Sequence, residues 1–121
     1  MSNVTPTIAL GRAGERLAVH HYEMLGAKVL DRNYRTRSGE LDLVVAQRGA
    51  IVFVEVKTRT AGGMHPFDSL TYAKRTRLRM LAASWLAEHP HRATELRFDA
   101  VGIVMTHAGQ LISLEQCEIP I

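Results

Sequence analysis

The sequence contains a single cysteine and no long apolar run. Its 121 residues include one cysteine, Cys117, which excludes an intrachain disulfide and fits a cytoplasmic location. No segment approaches the roughly 18 consecutive apolar residues of a membrane-spanning helix, so no membrane partner is expected. Residues 1–10 lack a basic flank and a long apolar core, so no secretory signal is expected. No cysteine or histidine spacing indicates a zinc site.

Size and composition predict one soluble domain over residues 1–121, with its core at about 8–105. Hydrophobic residues make up 46% of the chain and charged residues 22%, which allows a buried core beneath a charged surface. The net charge of +3 is a weak signal for nucleic acid. Local clustering is a stronger one, and the basic residues cluster in two segments: Arg32, Arg35 and Arg37, then Lys74, Arg75, Arg77 and Arg79. A solvated helix face and a charged loop are the alternative interpretation.

Hydrophobic periodicity predicts the element order αβββαβ with an extra strand at the C-terminus. A first helix is predicted from about Pro6 to Leu25, ended by Gly26. Strands are predicted at 28–34, 41–46, 51–58, 96–105 and 111–119. A second helix is expected to be capped by Asp68 or Ser69 and to run to about Glu88. The glycine-containing segment 60–67 is predicted to be a loop that closes over substrate.

Two charged residues interrupt the apolar stretch IVFVEVKTR, residues 51–59. Side chains alternate faces along a strand, so Glu55 and Lys57 should share one face. A hairpin closing about Arg48 and Gly49 would place Asp42 opposite Glu55, and Glu40 opposite Lys57. Directly opposed side chains have Cβ atoms about 4.5–5.5 Å apart.

Two facing carboxylates repel each other unless a cation lies between them or one is protonated. Hard oxygen ligands at this spacing suit Mg²⁺ or Mn²⁺, and Lys57 could orient water or stabilise developing negative charge. The sequence therefore predicts a metal held by Asp42 and Glu55. A simple Glu40–Lys57 salt bridge, with Asp42 capping a turn, remains the structural alternative.

Several short sequence motifs in the chain are similar to those of known families: Gly14-Glu15, Asn33-Tyr34-Arg35, Gly39-Glu40-Leu41-Asp42-Leu43, Phe53-Val54-Glu55-Val56-Lys57-Thr58-Arg59, Lys74 and Arg97-Phe98-Asp99. With the element order, they resemble the PD-(D/E)XK nuclease superfamily, and more closely the YraN-like family of bacterial proteins. The resemblance implies an α/β domain of restriction-endonuclease-like fold, with helices flanking a central mixed sheet. Leu41 replaces the usual proline before the aspartate.

The resemblance implies a metal-dependent endonuclease that hydrolyses DNA phosphodiester bonds, on branched or damaged DNA. Asp42 and Glu55 would hold the metal, Lys57 would be the catalytic lysine, and Glu15 resembles the helix-borne glutamate of archaeal Holliday junction resolvases. Those resolvases are usually dimers, so a homodimer is an expectation. A fold does not establish an activity, so a non-catalytic nucleic-acid-binding or repair-accessory module is the alternative function, and a protein-interaction domain is a further one.

Four basic residues are predicted to bind substrate. Lys74 lies on the apolar stripe of the second helix near its N-terminus, the end that favours anions; its alternative is a lysine that extends past its own stem to solvent. Arg35 could contact a nucleic acid backbone, and Arg59 follows the strand of Lys57. Arg75, on the outer face of the helix, would reach distant phosphates or solvent.

Overall fold

Two helices and five strands follow one another along the chain in the computed structural model, which describes residues 6–91, 93 and 95–120. The elements are α1 (Pro6–Met24), β1 (Lys28–Thr36), β2 (Gly39–Gln47), β3 (Ala50–Thr60), a 3₁₀ turn (Pro66–Ser69), α2 (Tyr72–Glu88), β4 (Glu95–Met105) and β5 (Leu111–Glu118). The predicted α/β class, the αβββαβ order and the additional C-terminal strand are confirmed.

The five strands form one mixed sheet in the order β1-β2-β3-β4-β5. β1, β2 and β3 are joined by short turns and pair antiparallel. β4 pairs parallel to β3, because α2 carries the chain back across the sheet before β4 begins. β5 then pairs antiparallel with β4 and forms an edge. The sheet core is therefore β2-β3-β4, with β1 and β5 outside it.

Each face of the sheet is covered by one helix. On one face, Ala18 and Tyr22 of α1 pack against β-strand residues such as Val52 and Val54. On the other face, Leu81 and Trp85 of α2 lie in one cluster with residues that include Leu41, Val44, Ile51 and Phe53. β3 is buried along most of its length because a helix packs on each of its two faces. Neither helix of the described residues is long and apolar enough to cross a membrane.

α1 lies very close to β3 at Gly14. A Cβ atom on Gly14 would lie 1.8 Å from Oγ1 of Thr58, so this position has no room for a side chain. Gly11, one turn earlier in α1, makes no such approach, because nothing lies within 4 Å of a Cβ built there. Gly14, one residue before Glu15, is therefore the residue that brings α1 down onto the sheet.

The hairpin register is the one that the sequence predicts. Leu43 pairs with Val54, and Gln47 pairs with Ala50, which leaves Arg48 and Gly49 as a two-residue turn. Both turn residues have positive φ angles, of 50° and 82°, as tight primed hairpin turns require. Because the turn is short and the register is fixed, the faces of the two strands are fixed as well.

The cap of the second helix was predicted two or three residues too early. Asp68 and Ser69 belong to the 3₁₀ turn, and Thr71 is the residue whose side-chain oxygen accepts from the Lys74 N–H, at 3.2 Å. The 3₁₀ turn packs closely on β4 at Gly102. The ring of Phe67 fits there because glycine has no Cβ, and an added Cβ would lie 2.9 Å from that ring. The segment predicted to be an open loop thus contains packed structure.

A buried acid anchors the sheet beneath the C-terminal half of α1. Asp99 is 1% exposed, and its carboxylate accepts from the Tyr22 hydroxyl at 2.7 Å and the Gln116 amide at 2.9 Å. Arg97 supplies the countercharge through Nε, at 3.0 Å. Asp99 is therefore a structural acid paired with an arginine, because its donors and cation satisfy the buried charge.

Candidate active site

A cleft opens where β2 and β3 separate. Their regular pairing extends from Gln47–Ala50 to Leu43–Val54 and ends there. Beyond this last pair, the Val56 N–H donates to Oδ2 of Asp42 at 2.8 Å. A side-chain carboxylate thus takes a backbone N–H that would otherwise continue the ladder. The resulting cleft has a volume of about 210 Å³, and Asp42, Glu55, Lys57 and Lys74 are among its lining residues.

Asp42 belongs to a cluster of three carboxylates. Oxygen atoms of Glu15, Glu40 and Asp42 all lie within 4.8 Å of one another. Glu15 comes from α1, where the close approach of Gly14 lowers the helix onto the sheet, and the other two lie on β2. Carboxylate oxygens gathered at this distance fit a hard divalent cation such as Mg²⁺ or Mn²⁺.

Glu40 is a site residue that sequence reasoning assigned to the wrong partner. The expectation was that it would face Lys57 across the hairpin, but the strands separate before that pair forms. Glu40 instead pairs with Arg35 of β1, with 3.2 Å between Nε and Oε2. The signal that could have found it is the spacing Glu40-Leu41-Asp42, which places two acids one pleat apart on the same strand.

Glu55 lines the same cleft as Asp42 and is held by two lysines. It is 4% exposed, and its Oε1 lies 2.9 Å from Nζ of Lys74 and 3.4 Å from Nζ of Lys57. Of the predicted site residues, Asp42, Glu55 and Lys57 line the cleft, and Glu15 reaches Asp42 from α1.

Burial controls the ionisation of the central acid. Burial, followed by the negative charge of Glu55, raises the pKa of Asp42 from 3.8 to about 8, and Glu15 and Glu40 add to this rise. The hydrogen bond from Val56 acts in the opposite direction. The pKa of Glu15 is also raised, first by burial and then by Glu40. Raised pKa values mean that the negative charges of these carboxylates are disfavoured in the folded protein. A bound cation would stabilise those charges.

The two lysines are shifted in opposite directions. Burial and a hydrogen bond to Lys74 lower the pKa of Lys57, although Glu55 opposes this shift. Burial alone would lower the pKa of Lys74, but its hydrogen bond to Glu55 and the negative charge of Glu55 raise it overall. Lys74 is therefore the more firmly charged of the two, and Lys57 the more readily deprotonated.

The four predicted substrate-binding residues are not all at the cleft. Lys74 lines it, and Arg35 stands at the rim with a side chain that is 78% exposed. Arg59 turns back to donate to the Thr58 carbonyl at 3.2 Å, and Arg75 lines a separate recess. Arg77 lines the cleft and was missed; its position one helical turn after Lys74 is the signal that could have found it.

His65 lies away from the cleft and has a local structural role. Its Nδ1 accepts from the Phe67 N–H at 3.1 Å, which starts the 3₁₀ turn, and its Nε2 lies 3.6 Å from Oε1 of Glu115 on β5. The loop histidine therefore caps a turn beside the sheet edge that lies farthest from Glu15 and Asp42.

Fold and cleft together define a class: an α/β domain with a five-stranded mixed sheet, in which an interrupted hairpin displays acids and lysines. Within this class, the chain belongs to the uncharacterised protein family UPF0102, whose sequence profile matches residues 14–103. Those residues include Glu15, Asp42, Glu55, Lys57 and Lys74.

Bacterial relatives support the assignment to this family. A UPF0102 protein of Clavibacter michiganensis subsp. michiganensis is 45% identical over 102 residues, covering 84% of this chain and 86% of the relative. One from Beutenbergia cavernae is 48% identical with the same coverage. A third, from Rhodococcus opacus, is 42% identical over 104 residues, which covers 85% and 88% of the two chains. These names state no activity, so the function is argued from the cleft.

Proposed function

We propose that this protein is a divalent-metal-dependent phosphodiesterase that cleaves nucleic acid, with DNA as its substrate, within the PD-(D/E)XK superfamily. The observation that carries the proposal is the position of Asp42. It belongs to a cluster of three carboxylates and lines the same cleft as Glu55, a glutamate that is held by two lysines. Carboxylates for a cation and ammonium groups for phosphate are thus combined in one cleft.

The carboxylates fit the ion that this chemistry needs. Asp42, its cluster partners Glu15 and Glu40, and the neighbouring Glu55 offer only oxygen donors, which Mg²⁺ and Mn²⁺ prefer. When bound, such an ion supplies charge neutralisation at the scissile phosphate and a lower pKa for water. Burial and then the negative charges of the other acids raise the pKa of Asp42, and a bound cation would offset both effects.

The lysines supply the remaining chemistry. Lys57 is half-buried, and because burial and Lys74 lower its pKa it gives up its proton more readily than an ordinary lysine, so it can accept or return a proton in the reaction. Lys74 stays charged beside Glu55 and can bind a phosphate oxygen at the mouth of the cleft. Arg77 inside the cleft and Arg35 at its rim extend this positive charge along a phosphate backbone.

Cleavage assays with purified protein test the proposal. A panel of single-stranded, duplex, flap and four-way DNA, with matching RNA, is incubated with Mg²⁺ or Mn²⁺. We expect cleavage that EDTA abolishes and that Glu55→Ala and Lys57→Ala abolish while both variants stay folded. A matched control is Glu95→Ala, because Glu95 is an exposed glutamate at the start of β4 that is not among the residues lining the cleft. Full cleavage by Glu55→Ala would reject the assignment.

One observation favours the rival function, a non-catalytic nucleic-acid-binding module. Glu55 already has two lysine partners, and Glu40 already has Arg35, so much of the cleft's charge is balanced within the protein. Binding of DNA without turnover on every substrate and with every metal would establish the rival. In both cases affinity should fall steeply with salt, because bound phosphates release counterions.

The expected homodimer and cytoplasmic location remain predictions. The molar mass measured by light scattering tests the first, with a dimer at twice the 13.5 kDa of the chain. Fractionation of cells that produce the protein tests the second.

A further inference from the structure

Asn33 of β1 lies at the acidic side of the cleft, although neither motif nor composition gave it a role. Its neighbours pair with β2 as Arg32–Leu43 and Tyr34–Leu41, so Asn33 stands beside Asp42. Its backbone has a φ of 53°, which places it in the left-handed region and out of the regular ladder. Asparagine is one of the few residues with a side chain that tolerates this conformation well.

The Asn33 side chain joins two of the three clustered acids. With its amide oriented so that nitrogen faces the carboxylates, it donates to Oε2 and Oε1 of Glu15 at 3.1 and 3.3 Å, and to Oε1 of Glu40 at 2.8 Å. The opposite orientation would turn the amide oxygen toward acceptors alone. The hydrogen-bond pattern therefore assigns the orientation.

We propose that Asn33 is a positioning residue that holds Glu15 and Glu40 within reach of Asp42 and so sets the affinity of the cleft for a divalent cation. The inference rests on the proposed metal-dependent function. Glu15 and Glu40 come from different elements, and like charges push them apart. A neutral donor between them offsets this repulsion without adding a charge that would compete with the cation.

Without the amide, both glutamates would relax toward solvent, because Glu40 is already 31% exposed. A cation would then have to gather them at a cost in conformational entropy. Loss of a residue that orients metal ligands typically weakens metal binding about 10–100-fold. We expect a reduction of that size from removal of the Asn33 side chain.

Asn33→Gly is the most informative substitution. Glycine accepts the left-handed backbone without strain while it removes the side chain and its amide donor. Arg48→Gly is its matched control, since Arg48 is also a non-glycine residue at positive φ, 50°, but lies in the turn at the far end of β2. Mn²⁺ affinity is measured by isothermal titration calorimetry, and metal-free stability by thermal unfolding in EDTA.

The expected result is Mn²⁺ binding about tenfold or more weaker for Asn33→Gly, with binding by Arg48→Gly at the wild-type level. Unchanged affinity in a folded Asn33→Gly variant would overturn the role of Asn33 and leave the metal centre intact. Wild-type protein that binds no Mn²⁺ would overturn the metal centre and the inference together. In wild-type protein, the Asn33 side-chain amide resonances should move during a Mg²⁺ titration, and unmoved resonances would overturn the inference even if the variant fails to fold.

Discussion

Asp42→Asn should make the metal-free protein more stable at neutral pH. The isosteric amide keeps an oxygen that can accept from the Val56 N–H, and it removes a charge that burial and Glu55 disfavour. The pKa of Asp42 rises from 3.8 to about 8 on folding. At about 1.4 kcal/mol per pKa unit, this rise sets a ceiling of ~6 kcal/mol on the cost of the charge. Screening by solvent in the open cleft reduces it, and we expect a gain of ~2 kcal/mol at pH 7.

The pH dependence fixes the sign of the effect. Between pH 3.8 and about 8 the unfolded chain has released the Asp42 proton, whereas the folded protein retains it. The folded state then binds more protons, so this residue makes stability fall as pH rises through that window. Below the lower pKa both states are protonated, and the cost disappears. The advantage of Asp42→Asn should therefore be small at pH 4 and should grow toward pH 8.

Urea unfolding in EDTA at pH 4, 7 and 8.5 measures this difference. Asp68→Asn is the matched control, because Asp68 is an exposed aspartate of the 3₁₀ turn outside the cleft. We expect the control to differ from wild type by no more than about 0.5 kcal/mol. An Asp42→Asn variant that is less stable than wild type, or whose advantage does not change with pH, would refute the reasoning.

Three further predictions follow from the same contacts. Gly14→Ala should lower the free energy of unfolding by about 1–3 kcal/mol, because its Cβ would lie 1.8 Å from a β3 side chain; Gly11→Ala, which meets nothing within 4 Å, should not lower it. Asp99→Ala should cost about 3–5 kcal/mol in thermal or urea unfolding, because it leaves a half-buried arginine unpaired, whereas Tyr22→Phe removes one donor and should cost about 1 kcal/mol. Mn²⁺ affinity should rise between pH 6 and pH 8 in calorimetric titrations, because the ion must displace the Asp42 proton; a flat profile would contradict the raised pKa.

Local patterns predicted the sheet and one half of the cleft. Alternation along 51–58 and the short connection at Arg48-Gly49 fixed both strand faces and the register, because a two-residue turn leaves no freedom to slip. That register predicts Asp42 and Glu55 on adjacent strands, and both line the cleft. The YraN-like resemblance is confirmed by the match to UPF0102, and the nuclease activity remains a proposal.

The other half of the cleft depends on contacts that sequence spacing does not encode. The depth at which α1 packs is set at Gly14, and this depth brings Glu15 to β2. Where the hairpin opens, the Asp42 carboxylate accepts the Val56 N–H in place of a backbone carbonyl. Hydrophobic periodicity cannot predict such a hydrogen bond. Asn33 was missed because its role requires a left-handed backbone, and Lys74 could be placed near the cleft but its bond to Glu55 could not be predicted.

Anomalous X-ray diffraction from crystals soaked in Mn²⁺ measures most directly whether the cleft is a metal centre. We predict a manganese peak within bonding distance of an Asp42 oxygen, lost in crystals of Asp42→Asn protein and retained in crystals of the Asp68→Asn control. Crystals that show no peak at Asp42 under millimolar Mn²⁺, with the cleft open to solvent, would contradict the metal centre and the proposed mechanism with it.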